Sequence, residues 1–431
     1  MASPTSEQST LWRNADFLRL WAGQSLSQFG SFITYFAIPV IAVTVLNASE
    51  EEMGVVGFLL RAPMVLFLLF GVLADRVRKR TVLIWTDVAR FALLMLIPIA
   101  WFADMLTLAW LYVVIFLIGL LGTMFQVAYR SYFPFLVPPE NFLEGNSKLQ
   151  LTESLANTVG PGIAAALLKV IAAPALLIID AVSYLASAIA VALIKRPEAR
   201  PEPDDTTARQ IHKAIWEGVL WVMKHPLIRP LAISSAVFSL FILGAMNSIY
   251  ALYVIRELGV PAAWFGGILA GGGVGAILGA LLAVRVMKRY SVGGVLVWSM
   301  VYGNVALFLI PLATGEIWLK VGMLVAAQVI SGVTAQVFFV TNTTLVQTVT
   351  PPQLQGRVIA SIYSLGLIPA PLGALGAGLL AGAVGIRTAL WVVIAIGALV
   401  PIAAMVWSPL AKLKQMPEPP GQAQAEAQAE A

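Results

Sequence analysis

The sequence has no cysteine and only two histidines. Those absences exclude a disulfide framework, thiol catalysis, cysteine-ligated zinc and iron–sulfur clusters, and they leave little with which to build a histidine metal site. Neither a metal nor an organic cofactor is expected. Charge is scarce too: 11% of the 431 residues are Asp, Glu, Lys or Arg, against roughly 25% in a typical soluble domain. A water-soluble chain of this length needs a charged surface that 27 basic and 22 acidic side chains cannot supply. What is abundant is apolar: 59% of residues are hydrophobic, and the mean hydropathy is +0.86. Gly and Pro are present in ordinary amounts, so the chain is neither collagen-like nor low-complexity. The composition points to an all-α, polytopic membrane protein. A transmembrane barrel is excluded because the apolar segments are continuous and do not alternate.

Twelve apolar runs are present, near 18–46, 53–74, 82–102, 107–130, 147–169, 175–194, 230–254, 262–284, 291–312, 318–346, 358–380 and 386–407. Each is long enough to cross about 30 Å of hydrocarbon at about 1.5 Å per residue. Residues 1–17 are polar, and no small-residue cleavage site follows a short apolar core, so the first run is expected to remain a membrane helix and not a signal peptide. Twenty-one of the 27 Lys and Arg residues fall in one alternating set of connections, and only Lys169, Arg256, Lys320 and Arg387 fall in the other. Basic residues mark the cytoplasmic side, which predicts cytoplasmic termini and explains the net charge of +5 without nucleic acid. The partners expected are the lipid bilayer and a small molecule, with the protein a monomer.

The expected organisation is a tail at 1–17, a six-helix bundle at 18–194, a cytoplasmic linker at 195–229, a second six-helix bundle at 230–408 and a polar, disordered tail at 409–431. Within the linker, Lys195 to Thr207 is rich in Pro and charge, while Gln210 to Met223 repeats apolar residues at helical spacing, as in an amphipathic helix on the inner membrane surface. The halves resemble each other. Arg76-Val77-Arg78-Lys79-Arg80 returns as Arg285-Val286-Met287-Lys288-Arg289. Arg19 and Ser25 return as Arg229 and Ser235, and Leu143-Glu144-Gly145 as Leu354-Gln355-Gly356. The nearly constant offset suggests two parallel six-helix pseudo-repeats, a transporter plan in which two halves rock about a midplane site.

The loop joining the second and third runs reads Gly71-Val72-Leu73-Ala74-Asp75-Arg76-Val77-Arg78-Lys79-Arg80. Asp75, at the inner end of a helix, opposes the macrodipole and needs a cationic partner. A carboxylate–arginine latch of this kind is a bistable element suited to alternating access. This stretch resembles the loop signature of the major facilitator superfamily, G-x-L-x-D-R-x-x-R-R/K, with Arg78 where Gly is common. Phe17-Leu18-Arg19-Leu20-Trp21-Ala22-Gly23-Gln24-Ser25, Tyr129 to Pro139, Ile215 to Val219 and Leu354 to Val358 are similar to the branch containing bacterial macrolide exporters and the enterobactin exporter. The resemblance covers nearly the whole chain. It implies the major facilitator fold of twelve transmembrane helices and placement in a bacterial cytoplasmic membrane. Gly160-Pro161-Gly162 is similar to a fragment of the family's antiporter motif, although a packing kink accounts for it equally well.

Five charges lie inside runs, where each is costly and faces protein or water. Glu153 is the leading proton-carrier candidate, with Asp180 and Arg61 beside it as proton-coupling candidates. Pairing of Glu153 with Arg130, a structural bond for Asp180 and an Arg61–Asp180 pair are the competing readings. Asp87 and Arg90, spaced i, i+3, predict a local ion pair. With Gly71, Asp75, Arg76, Lys79 and Arg80 they form the expected latch, in which Asp75 and its neighbours stabilise the outward-open state. Gln24, Gln28, Tyr35, Gln126, Tyr129, Asn247, Tyr250, Gln336 and Asn342 are candidates to line a cavity for bulky amphiphiles, with about half expected to bond between helices instead. Gly271-Gly272-Gly273-Val274-Gly275 is not a dinucleotide fingerprint, because no strand precedes it. The function expected is proton-driven export of an amphiphilic compound. A facilitator or importer of a metabolite, or a membrane-embedded sensor or enzyme, remain the alternatives.

Overall fold

The computed structural model describes residues 11–67, 70, 77–138, 141–196, 198, 208–351 and 354–417. The described residues contain helices and no strand. The helices are α1 (Ala15–Thr44), α2 (Glu50–Arg61), α3 (Lys79–Phe102), α4 (Leu108–Leu136), α5 (Phe142–Leu167), α6 (Ala173–Ala192) and α7 (Ala208–Lys224). They continue with α8 (Ile228–Glu257), α9 (Ala262–Arg289), α10 (Val292–Leu312) and α11 (Ile317–Val349). Then come α12 (Gln355–Leu367), α13 (Pro369–Val384) and α14 (Ile386–Val406). Among the described residues ten helices, counting Arg357–Val384 as one, are long and apolar enough to span a bilayer. Two expected spans are not in that set. For 53–74, α2 ends at Arg61 and gives way to a short 3₁₀ turn, Ala62–Leu66, and part of the rest lies outside the described residues. For 147–169, α5 has 26 residues but is interrupted by Lys148, Gln150, Glu153 and Asn157.

The chain divides into two compact units, Met1–Ile38 with Leu66–Asp204, and Pro39–Val65 with Asp205–Ala431. The first has a core of Phe17, Leu20, Leu83, Phe125, Tyr132 and Leu136. The second has one of Val222, Leu231, Leu296, Leu345, Met405 and Leu410. Pro39–Val65 joins the second unit because α2 lies against α13: a Cβ on Gly54 would stand 2.9 Å from the Gly378 Cα. Only a pair of glycines lets the backbones come that close.

Each unit ties off one end with the chain that follows its last helix. In the first, the Glu198 carboxylate accepts from the Lys79 and Arg80 amides at 2.7 and 2.9 Å. These are orphan donors of the α3 N-terminus. Arg80 answers by donating to the Val191 and Ala192 carbonyls, at 3.3 and 2.6 Å, at the α6 C-terminus. Asp16 accepts from the Lys195 and Arg196 amides, both at 3.1 Å, and pairs with Arg19. In the second unit, the Gly293 amide at the start of α10 donates to the Leu413 carbonyl at 2.9 Å.

Candidate functional site

The charge cluster at the centre of the first unit stands out. Arg90 lies near the middle of α3, about 17 Å from either end by helical rise. It pairs with Asp87 one turn earlier, as the i, i+3 spacing predicts. Its guanidinium is held between two aromatic faces, 4.4 Å from the Phe125 ring centroid and 4.2 Å from that of Tyr184. Such stacking suits a planar, weakly hydrated cation. Asp87 and Asp180 are both fully buried, at 0% exposure. The Ser183 hydroxyl donates to Asp180 Oδ1 at 3.0 Å. Thr34, Tyr184 and the Arg90 charge also bear on Asp180, while its Oδ2 has no hydrogen bond of normal geometry. Ser187 faces Asp87, and Ser31 binds the Tyr184 hydroxyl at 3.0 Å.

Four helices of the first unit (α1, α3, α4 and α6) thus enclose two carboxylates and one guanidinium among the described residues. The arrangement holds Asp87 as the partner of Arg90 and leaves Asp180 in excess. A lone carboxylate in this setting is stable only if protonated, hydrated or matched by another cation. The sequence groups Asp87 and Arg90 with the loop latch, of which Gly71, Asp75 and Arg76 lie outside the described residues. Within those residues the pair meets Asp180, whose carboxylate feels the Arg90 charge. Phe125, Tyr184 and Ser187 were missed as members of the site. On sequence they are ordinary apolar or small residues of spans, and no spacing rule joins helices so far apart. Glu198 was missed as well, since a Pro- and Glu-rich stretch reads as linker. Lys79 and Arg80 of the latch are the residues it holds.

Other candidates are scattered. Glu153 is exposed on α5, where its charge acts on Tyr129, and Arg130 sits 5.7 Å from the Phe67 ring. Arg61 donates to the Gly57 carbonyl of its own helix at 3.3 Å. In the first unit Gln24 and Tyr129 are buried, with Gln24 Oε1, Gln28 Oε1 and the Tyr129 hydroxyl unpartnered among the described residues, while Tyr35 and Gln126 are exposed. In the second, Tyr250 is buried with its hydroxyl facing Gln328, Asn247 is half-buried, and Asn342 has an unpartnered Oδ1. Gln336 packs on α9, its Cβ 2.9 Å from where a Gly279 Cβ would stand, so it serves the α9–α11 contact. Pro161 runs within an unbroken α5, and a Cβ on Gly160 would come within 2.7 Å of the Phe32 Cβ. The glycine there permits close packing of α1 and α5.

Ten apolar helices among the described residues mark a multi-pass membrane protein. The family model described as transmembrane secretion effector matches residues 6–429, and the chain belongs to that family of the major facilitator superfamily. It is 25% identical to the MFS-type transporter YfiS of Bacillus subtilis (strain 168) over 396 residues, 89% of this chain and 91% of the other. It is 28% identical to macrolide efflux protein A of Streptococcus pyogenes over 184 residues, 42% of this chain and 45% of that one. Among solved structures its fold is similar to that of a point mutant of the nucleoside transporter NupG, with a TM-score of 0.72 at 13% identity over 91% of this chain and 99% of that one. The protein is a membrane transporter of the major facilitator type and not an enzyme.

Proposed function

We propose that the protein is a twelve-helix, alternating-access exporter that exchanges protons for amphiphilic compounds of the macrolide kind across a bacterial cytoplasmic membrane, with both termini cytoplasmic. The observation that carries this reading is the excess carboxylate at Asp180, buried beside an Arg90 already paired with Asp87. With a proton on Asp180 the cluster is neutral. Without it one negative charge stays in a low-dielectric core, which favours whichever conformation admits water or a cation. Asp180 replaces Glu153 as the favoured carrier, because an exposed carboxylate gains no such coupling from burial. Identity to a macrolide efflux protein supports the cargo class and the outward direction. The caps of α3 by Glu198 and of α10 by Leu413, each from chain that follows a unit's last helix, support the six-plus-six repeat.

The test uses everted vesicles carrying the protein and energised to an acidic interior. Adding a macrolide should release protons, and Asp180→Asn should abolish that release while Glu153→Gln keeps most of it. Efflux that continues unchanged after the proton gradient is collapsed overturns the antiport reading.

A further inference from the structure

Asp180 is 0% exposed, so a proton it takes up has to arrive along polar side chains. The hydroxyls that bear on it are those of Thr34, Ser183 and Tyr184. All three residues are buried, at 6%, 3% and 3% exposure, and none of them reaches the surface. Ser31 does. It is half-buried on α1, and its hydroxyl lies 3.0 Å from that of Tyr184, with either oxygen able to donate. One turn further on the same face of α1, Tyr35 is exposed. Two hydroxyls in series thus lead from the surface of α1 to the buried carboxylate.

The packing holds them in line. Tyr184 stands one turn beyond Asp180 on α6, its ring packed on the Arg90 guanidinium. Gly30, next to Ser31, lets α1 approach α6 at this level: a Cβ there would stand 2.9 Å from the Asp180 Cα and collide with Asp180 Oδ1 and the Ser183 hydroxyl. The charges facing Asp180 are Arg90 and, paired with it, Asp87, both from α3. Helix α1 carries no charge beyond Arg19, and α4 meets the cluster through the Phe125 ring.

We propose that Ser31 and Tyr184 form a proton relay to Asp180, an inference that rests on Asp180 being the proton carrier. A proton from water binds the Ser31 oxygen as the proton already on that oxygen passes to the Tyr184 oxygen. The Tyr184 proton passes in turn to Asp180, whose Oδ2 is without a hydrogen bond of normal geometry. Each hydroxyl gains one proton and loses one, so only the carboxylate changes charge. Rotation of the two hydroxyls resets the chain, and release runs the same steps in reverse.

The test follows protonation directly and needs no cargo. Full-length protein in detergent micelles is given a pH drop by photolysis of a caged proton, and infrared difference spectra follow the carbonyl band of protonated Asp180. Loss of the band in Asp180→Asn identifies it. A spectrum unchanged by Asp180→Asn sinks the carrier reading, and the relay with it. Tyr184→Phe keeps the ring on Arg90 and removes the hydroxyl. Its band should reach a comparable final height but rise about a hundredfold more slowly, the low end of what a positioned proton-transfer group contributes. Ser31→Ala should slow the rise as well, and Ser31→Thr, which keeps a hydroxyl, should restore it. A merely structural role for Tyr184 would shift the pH at which the band is half-formed and leave its rate unchanged. That result overturns the relay while Asp180 stays the carrier. If Tyr184→Phe does not fold, the Ser31 variants decide: equal rates in Ser31→Ala and Ser31→Thr overturn the relay.

Discussion

Arg90 places a full charge at the middle of α3, where an isolated cation is costly, and the residues around it show how the cost is offset. Asp87 supplies the counter-charge, and Phe125 and Tyr184 supply ring faces that a desolvated guanidinium favours by up to about 2 kcal/mol. Removing only the cation strands the carboxylates. Arg90→Gln should therefore destabilise the protein by about 3–5 kcal/mol, the usual range for breaking a buried pair. Asp87→Asn in the same chain should recover most of that loss, since Asp180 alone can take up a proton. Thermal unfolding in detergent micelles distinguishes the cases. A double variant no more stable than Arg90→Gln would show that the pair does not carry the charge balance. The i, i+3 pair itself was legible, because one helix contains both partners. Asp180 was legible only as a buried acid, because its neighbours come from α1, α3 and α6.

At the scale of elements, the informative feature is the reciprocal tie between α3 and α6. A helix N-terminus presents amides and partial positive charge, and its C-terminus presents carbonyls and partial negative charge. Glu198 meets the former at Lys79 and Arg80, and the Arg80 side chain meets the latter at Val191 and Ala192. Glu198→Gln removes the charge while keeping the shape. It should cost about 1 kcal/mol locally, read as roughly fivefold faster amide exchange at Lys79 and Arg80. The α10 amide of Gly293 is capped by a neutral carbonyl and should not change. Equal acceleration at both sites would mean general loosening and would remove Glu198 as a specific cap. The basic run at 76–80 was visible in sequence as a topology signal and a latch. That one arginine of it also closes a neighbouring helix was not, because helix ends acquire partners only when the bundle forms.

For the whole molecule, the distribution of Lys and Arg bears on orientation. Twenty-one on one alternating set of connections is a bias that insertion machinery reads directly. Fluorescent reporters fused after Met416 or inserted at Thr206 should both fold and fluoresce in the cytoplasm, and an export-dependent reporter should be silent at the same sites. Activity of the export-dependent reporter at either position refutes the orientation. Span formation was readable because it depends on hydropathy summed over about 20 contiguous residues, a property the chain carries before it folds. It was less readable at α5, where Lys148, Glu153 and Asn157 dilute the apolar signal, and at 53–74, where the helix breaks after Arg61. The sequence by itself determined the membrane class, most spans, the charge bias and the family. Only the tertiary structure decided which buried charges meet, and that Glu153 lies exposed while Asp180 is enclosed. Those outcomes depend on side chains from distant segments sharing a few ångströms, and no local pattern encodes that.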